Sequence, residues 1–138
     1  TTTCREPPRT IPSAPPRRAK HILVVDDEKA IRKLAKRILT SKGYGVTTCA
    51  SGAKAIAAYS KLPGQIDLVI LDMLMPKMNG VETLRLIKEI DPTVSAVLCS
   101  AFVPDLDGHT IAAEGFAAFI TKPFKLTDLL AVTAKHIK

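Results

Sequence analysis

Apolar positions along the chain form short continuous runs that alternate with stretches of helical spacing. Ile22–Val25 is apolar throughout, as in a strand covered on both faces. Ile31, Leu34, Ala35, Ile38 and Leu39 then recur at i, i+3, i+4, i+7 and i+8, which predicts an amphipathic helix closed by Gly43. Val46–Ala50 reads as a second, weaker strand. Ser51 is placed to cap a helix holding Ile56, Ala57 and Tyr59. Leu68–Leu71 is a third strand ended by Asp72. Asn79 with Glu82 three residues on has the form of a capping box, before a helix with Leu84, Ile87 and Ile90 facing inward. Val94–Cys99 is a fourth strand ended by Ser100, and residues 105–114 give a weak, short helix. Ala117–Ile120 is a fifth strand, followed by Thr121 and Lys122. Thr127 is expected to cap a last helix through Leu129, Leu130, Ala134 and Ile137.

Five such strand–helix units in the 118 residues from His21 to Lys138 require parallel strands with helices on both faces, an α/β fold. Residues 1–20 differ. They hold five of the ten prolines and almost no large apolar side chain, and are expected to be an extended Pro/Arg-rich linker, with the folded domain spanning 21–138. The 138 residues suffice for one domain with a core that Ala, Ile, Leu and Val must fill, since there is no Trp. No apolar run approaches 18 residues and no signal-peptide pattern is present, so no membrane insertion by this segment is expected.

The formal charge of +7 changes this picture little. Residues 1–20 carry +4, leaving +3 on the other 118, without aromatic residues interleaved among the basic ones. No direct nucleic-acid binding is expected. Cys4, Cys49 and Cys99 are an odd number, far apart and without a CxxC, which argues against disulfides and zinc and for a reduced cytoplasmic setting, at the inner membrane face if a parent chain is anchored there. Cys49 and Cys99 lie in apolar stretches and are expected in the core.

Candidate chemistry gathers at the strand ends. In open α/β sheets, functional groups collect beyond the C-terminal ends of the strands. Those ends carry Asp26 and Asp27, Asp72, Ser100 and Lys122. With strand order 2-1-3-4-5 the three aspartates meet in one crevice. Two carboxylates in contact near a protein surface repel by about 4 kcal/mol. Lys122 leaves a residual −2, which a divalent cation balances, and all-oxygen donors favour Mg²⁺ or Mn²⁺. A hard cation, a Lys and a hydroxyl around a further carboxylate suit phosphoryl transfer through an acyl phosphate.

The ordered set VVDDE (24–28), LVILDMLMPKMNG (68–80), Ser100-Ala101 and FITKPF (119–124) resembles the receiver domain of two-component response regulators, over residues 21–138. The resemblance implies a flavodoxin-like, doubly wound five-stranded sheet of order 2-1-3-4-5. It implies that Asp72 is the phosphoacceptor, that Asp27 ligates Mg²⁺ directly with Asp26 as an acidic-pocket ligand, and that the Leu74 carbonyl completes the protein's ligand set. It further implies that Ser100 and Lys122 contact the phosphoryl group, that Lys122-Pro123 is cis, and that Phe119 is the aromatic switch residue. Such a domain takes its phosphoryl group from a histidine kinase or its phosphotransfer domain, with self-phosphorylation and self-dephosphorylation activity. It signals through the face made by the 105–114 helix, the fifth strand and the last helix, including Phe119 and Lys125. Fast-hydrolysing receivers often carry a polar residue two positions after the acceptor; here that is Leu74. With Phe102, two residues after Ser100, it is expected to restrict water access.

Each element also has a plainer reading. An acidic pair after a strand alone marks a helix N-terminus. Met73, Met75 and Met78 read as loop and core filling, and the three scattered histidines as surface or strand-edge residues. An aspartate-nucleophile phosphohydrolase would need an Asp two residues after its nucleophile, where Leu74 stands after Asp72 and Glu28 after Asp26. GxxxxGK[ST] and GxGxxG are absent. A pseudo-receiver would lack the acceptor or the acidic pair, and both are present. The lack of an initiator Met and the Pro/Arg-rich leader favour the receiver of a hybrid histidine kinase over a stand-alone or truncated regulator.

Overall fold

Strand β1 (His21–Val25) is an interior strand of the sheet, and its residues belong alternately to two separate apolar layers. The computed structural model describes residues 20–62, 64–100 and 113–137. These form β1, α1 (Lys29–Thr40), β2 (Gly45–Cys49), α2 (Gly52–Lys61), β3 (Leu68–Asp72), α3 (Gly80–Ile90), β4 (Ala96–Ser100), β5 (Ala118–Thr121) and α4 (Leu126–His136). The sheet is parallel throughout, in the order β2-β1-β3-β4-β5. This is the expected doubly wound arrangement.

Continuous apolar runs occur because each central strand serves both layers. Ile22 and Val24, with Leu68, Ile70 and Val97, pack against Ala35, Ile38 and Leu39 of α1 and Leu129 of α4. Leu23 and Val25, with Val69, Leu71 and Leu98, pack against Tyr59 of α2 and Leu84 and Ile87 of α3. The five residues of β3 and of β4 are all buried. Cys49 and Cys99 are free and buried, as expected. No helix among the described residues is long and apolar enough to cross a membrane.

Local signals hold where they are short-range. The Ser51 hydroxyl accepts from the Lys54 N–H. At α3 both halves of the capping box form: Asn79 Oδ1 accepts from the Glu82 N–H at 2.8 Å, and Glu82 Oε1 from the Asn79 N–H at 3.1 Å. The last helix departs from expectation. Lys125, not Thr127, occupies the N-cap position of α4, and no side chain caps it. The turn after Lys122-Pro123, whose peptide is cis, starts the helix at Leu126. Two apolar residues expected on inner helix faces, Leu34 and Ile90, are exposed. Strand ends shift by one or two residues, so Asp72 and Ser100 are the last residues of β3 and β4. Of the expected linker 1–20 only Lys20 is described, of the expected 105–114 helix only residues 113 and 114, and Phe102 lies outside the described residues.

Candidate functional site

Sheet register explains how distant carboxylates meet. Val25 of β1 pairs with Leu71 of β3, so Asp26 and Asp72 follow side by side at the C-terminal edge of the sheet. Asp72 in turn pairs with Cys99, putting Ser100 one residue further on, and Ser100 pairs with Thr121, followed by Lys122. Backbone hydrogen bonds extend this order past the strands: the N–H groups of Asp26, Met73 and Lys122 donate to the carbonyls of Cys49, Cys99 and Ser100.

The oxygens of Asp26, Asp27 and Asp72 converge within 4.8 Å of one another. Asp26, Asp72 and Ser100 are almost fully buried, at 2%, 4% and 1% exposure, whereas Asp27 faces solvent. Lys122 reaches in from beyond β5. Its Nζ lies 2.6 Å from Asp26 Oδ2, 3.3 Å from Asp72 Oδ1 and 3.7 Å from Glu28 Oε1. A half-open cavity of about 210 Å³ is lined by Asp27, Glu28, Asp72, Leu74, Ser100 and Lys122. Of the residues singled out in the sequence, the structure brings together Asp26, Asp27, Asp72, Leu74, Ser100 and Lys122. Phe119 stands apart on the edge strand β5, 44% exposed.

Glu28, Arg32 and Gly80 also belong to the site, a role the sequence alone does not assign to them. Glu28 lines the cavity and donates its N–H to Asp26 Oδ1 at 2.8 Å. Its signal was in VVDDE, as the third carboxylate. Arg32 Nη1 donates to the Asp26 carbonyl at 2.7 Å, a tertiary contact no motif marks. Gly80 permits close approach: a Cβ there would lie 2.6 Å from the Asp72 carbonyl oxygen.

Electrostatics follow from this crowding. Burial first, and the neighbouring Asp26 charge second, push the Asp72 carboxyl up to about 6, against the opposing charge and hydrogen bond of Lys122 and the Leu74 N–H. Burial pulls Lys122 down, but the hydrogen bond and charge of Asp26, followed by Asp72, outweigh it and leave the ammonium at about 12. Burial pushes the Cys99 thiol up to about 12, so it stays protonated and inert. At neutral pH the three aspartates outnumber the one buried ammonium, and the donors are all oxygen. That set fits a hard divalent cation.

A profile of the response regulator receiver domain matches residues 22–134. The chain belongs to the response regulator receiver domain family. It is 35% identical over 120 residues to the chemotaxis protein CheY of Thermotoga maritima, covering 86% of this chain and 98% of that one. It is 34% identical over 116 residues to the sensor kinase CckA of Brucella abortus, covering 84% of this chain but only 12% of that protein. Among solved structures, the fold is similar to CheY4 of Vibrio cholerae, with a TM-score of 0.80 at 26% identity, covering 86% of this chain and 99% of that one. The CheX–CheY–BeF3–Mg²⁺ complex of Borrelia burgdorferi gives 0.79 at 31%, covering 86% and 90%. Receiver domains act in two-component signalling, work with histidine kinases or phosphotransfer proteins and downstream partners, and bind Mg²⁺ at an acidic pocket.

Proposed function

We propose that this receiver accepts a phosphoryl group on Asp72 from the phosphohistidine of a histidine kinase or phosphotransfer domain, in a Mg²⁺-dependent reaction. The observation that carries the reading is the meeting of Asp26, Asp27 and Asp72 with Lys122 at one half-open cavity. An Asp72 carboxylate oxygen forms the new O–P bond as the P–N bond breaks, and the imidazole leaves with the electron pair and takes up a proton. Asp27 and Asp72, the Leu74 carbonyl and Asp26, directly or through water, would hold the cation, Mg²⁺ or Mn²⁺, which supplies charge neutralisation at the phosphoryl oxygens. Lys122 stays charged and orients those oxygens, and the Ser100 hydroxyl donates to one of them. The BeF3 and Mg²⁺ in the neighbouring CheX–CheY complex support this use of the pocket.

Transfer is coupled to output through Ser100. As its side chain turns toward the phosphoryl oxygens, Phe119 gains room to rotate inward, altering the face of β5 and α4 that includes Phe119 and Lys125. A downstream protein reads that face. The likeness to CckA supports a receiver within a hybrid sensor histidine kinase, working in the cytoplasm; the 98% coverage of CheY supports a stand-alone regulator as the second reading. The coding region upstream distinguishes them. The chemistry is tested by intact mass after incubation with acetyl phosphate and Mg²⁺. One added phosphoryl group, absent in Asp72→Asn, is expected; equal phosphorylation of that variant overturns the assignment.

A further inference from the structure

The cationic stripe of α1 forms a second polar cavity, separate from the acidic one. The 38 residues between Glu28 and Asp67 hold eight Lys and Arg and no Asp or Glu. Four of these cations, Lys29, Arg32, Lys33 and Lys36, follow the i, i+3, i+4, i+7 spacing and so share one helix face. They converge with Thr48 of the edge strand β2 on a half-enclosed cavity of about 230 Å³. Among the described residues none of the four has a carboxylate partner.

A merely solvated helix face offers a poor account of this arrangement. Solvated faces mix charges of both signs, and Glu at i+4 from a Lys supports the helix. Here like charges at i+3 and i+4 oppose one another: Arg32 is half-buried, and the exposed Lys29, Lys33 and Lys36 line the same concavity. Arg32 is also held in place. One of its five N–H donors is spent on the Asp26 carbonyl at 2.7 Å, which fixes the guanidinium at the wall of the cavity.

We propose that this cavity binds a small molecule bearing a diphosphate group. Charge selects that class, and the cavity has room for it. The four cations carry +4; a lone phosphate brings about −1.5 to −2 near pH 7, and a diphosphate, with one further charge on its inner phosphate, about −3, which comes closer to balance. At roughly 30 Å³ per water the cavity holds about eight. That is room for a diphosphate, which brings more charge into the same space than a lone phosphate does. Arg32 supplies planar paired donors, the lysines mobile point charges and Thr48 a hydroxyl. The inference does not depend on phosphorylation of Asp72.

The test titrates the full chain with inorganic pyrophosphate, without Mg²⁺ and at physiological salt, by calorimetry and amide chemical shifts. Saturable one-to-one binding is expected, with shifts at α1 and β2 and sulfate at least tenfold weaker. Lys33→Gln/Lys36→Gln should weaken binding tenfold or more. Lys61→Gln/Lys135→Gln, which removes the same charge elsewhere, should change it less than threefold. Equal loss in both double variants means a diffuse positive field and overturns the site. So do shifts confined to the Lys122 cavity, or no saturation. Acetyl phosphate labelling of Asp72, measured in parallel with Mg²⁺, reports separately on the phosphoacceptor reading.

Discussion

Lys122 is bound more closely to Asp26 than to Asp72: 2.6 Å separates its Nζ from Asp26 Oδ2, against 3.3 Å to Asp72 Oδ1. The ammonium therefore stands partly in for a cation at the acidic pair. Replacing it removes charge from three carboxylates at once. Lys122→Met should lower stability by about 2 kcal/mol at pH 7.5 in chelator, since breaking a buried pair leaves an uncompensated charge. Mg²⁺ should recover most of that loss. Urea unfolding with and without Mg²⁺ measures both; equal losses in the two conditions would refute a shared cation role.

Asp72 makes the stability of the metal-free protein depend on pH. Its folded pKa, about 6, lies above the unfolded value of 3.8, so the native state binds the proton more tightly. The stabilisation is fully present below pH 3.8 and is lost as pH rises through 6. Above that the ionised carboxylate costs the fold on the order of 3 kcal/mol. Asp72→Asn should thus stabilise the chelated protein at pH 7.5 and have little effect near pH 4. Unfolding curves at the two values check this, and a variant equally stabilised at both would contradict it.

Metal dependence is the third expectation. Excess chelator should abolish labelling by acetyl phosphate, and Asp27→Ala should come close, because the incoming phosphoryl group otherwise meets a surplus of carboxylates. Full labelling in chelator would rule out the metal role.

Gly80 carries a steric prediction. A Cβ 2.6 Å from the Asp72 carbonyl oxygen must push β3 and α3 apart. Gly80→Ala should cost about 1–3 kcal/mol, as overpacking does, and slow phosphorylation by moving the acceptor. Thermal unfolding and a labelling time course measure the two effects. Unchanged stability would show that the loop absorbs the methyl group.

Leu74 is expected to govern the rate at which the phosphoryl group is lost. It is 63% exposed at the mouth of the cavity and its side chain neither donates nor accepts a hydrogen bond. Without a polar group to orient the attacking water, the acyl phosphate should last many minutes, and Leu74→Asn should shorten its lifetime several-fold. Phosphate release after donor removal decides; an unaltered rate in Leu74→Asn would remove Leu74 from control of the water.

Periodicity and short-range spacing are determined by neighbouring residues, and so they were legible in the chain itself. The continuous runs at 22–25 and 68–71, the helical stripe ending at Leu39 and the Asn79–Glu82 capping box each depend on residues within a turn or a strand of one another. The polar residues at the strand ends were equally plain, and with parallel pairing they had to share one edge of the sheet. What the tertiary structure decided is where separate segments meet. Only the register of β1 on β3 brings Asp26 beside Asp72, and only the turn after β5 sends Lys122 to Asp26 first. The bond from Arg32 to the Asp26 carbonyl, the approach of Gly80 to Asp72 and the exposure of Leu34 and Ile90 have the same origin. A side chain's partners across the sheet depend on how far each layer extends and how its charges balance in three dimensions, which no local pattern specifies.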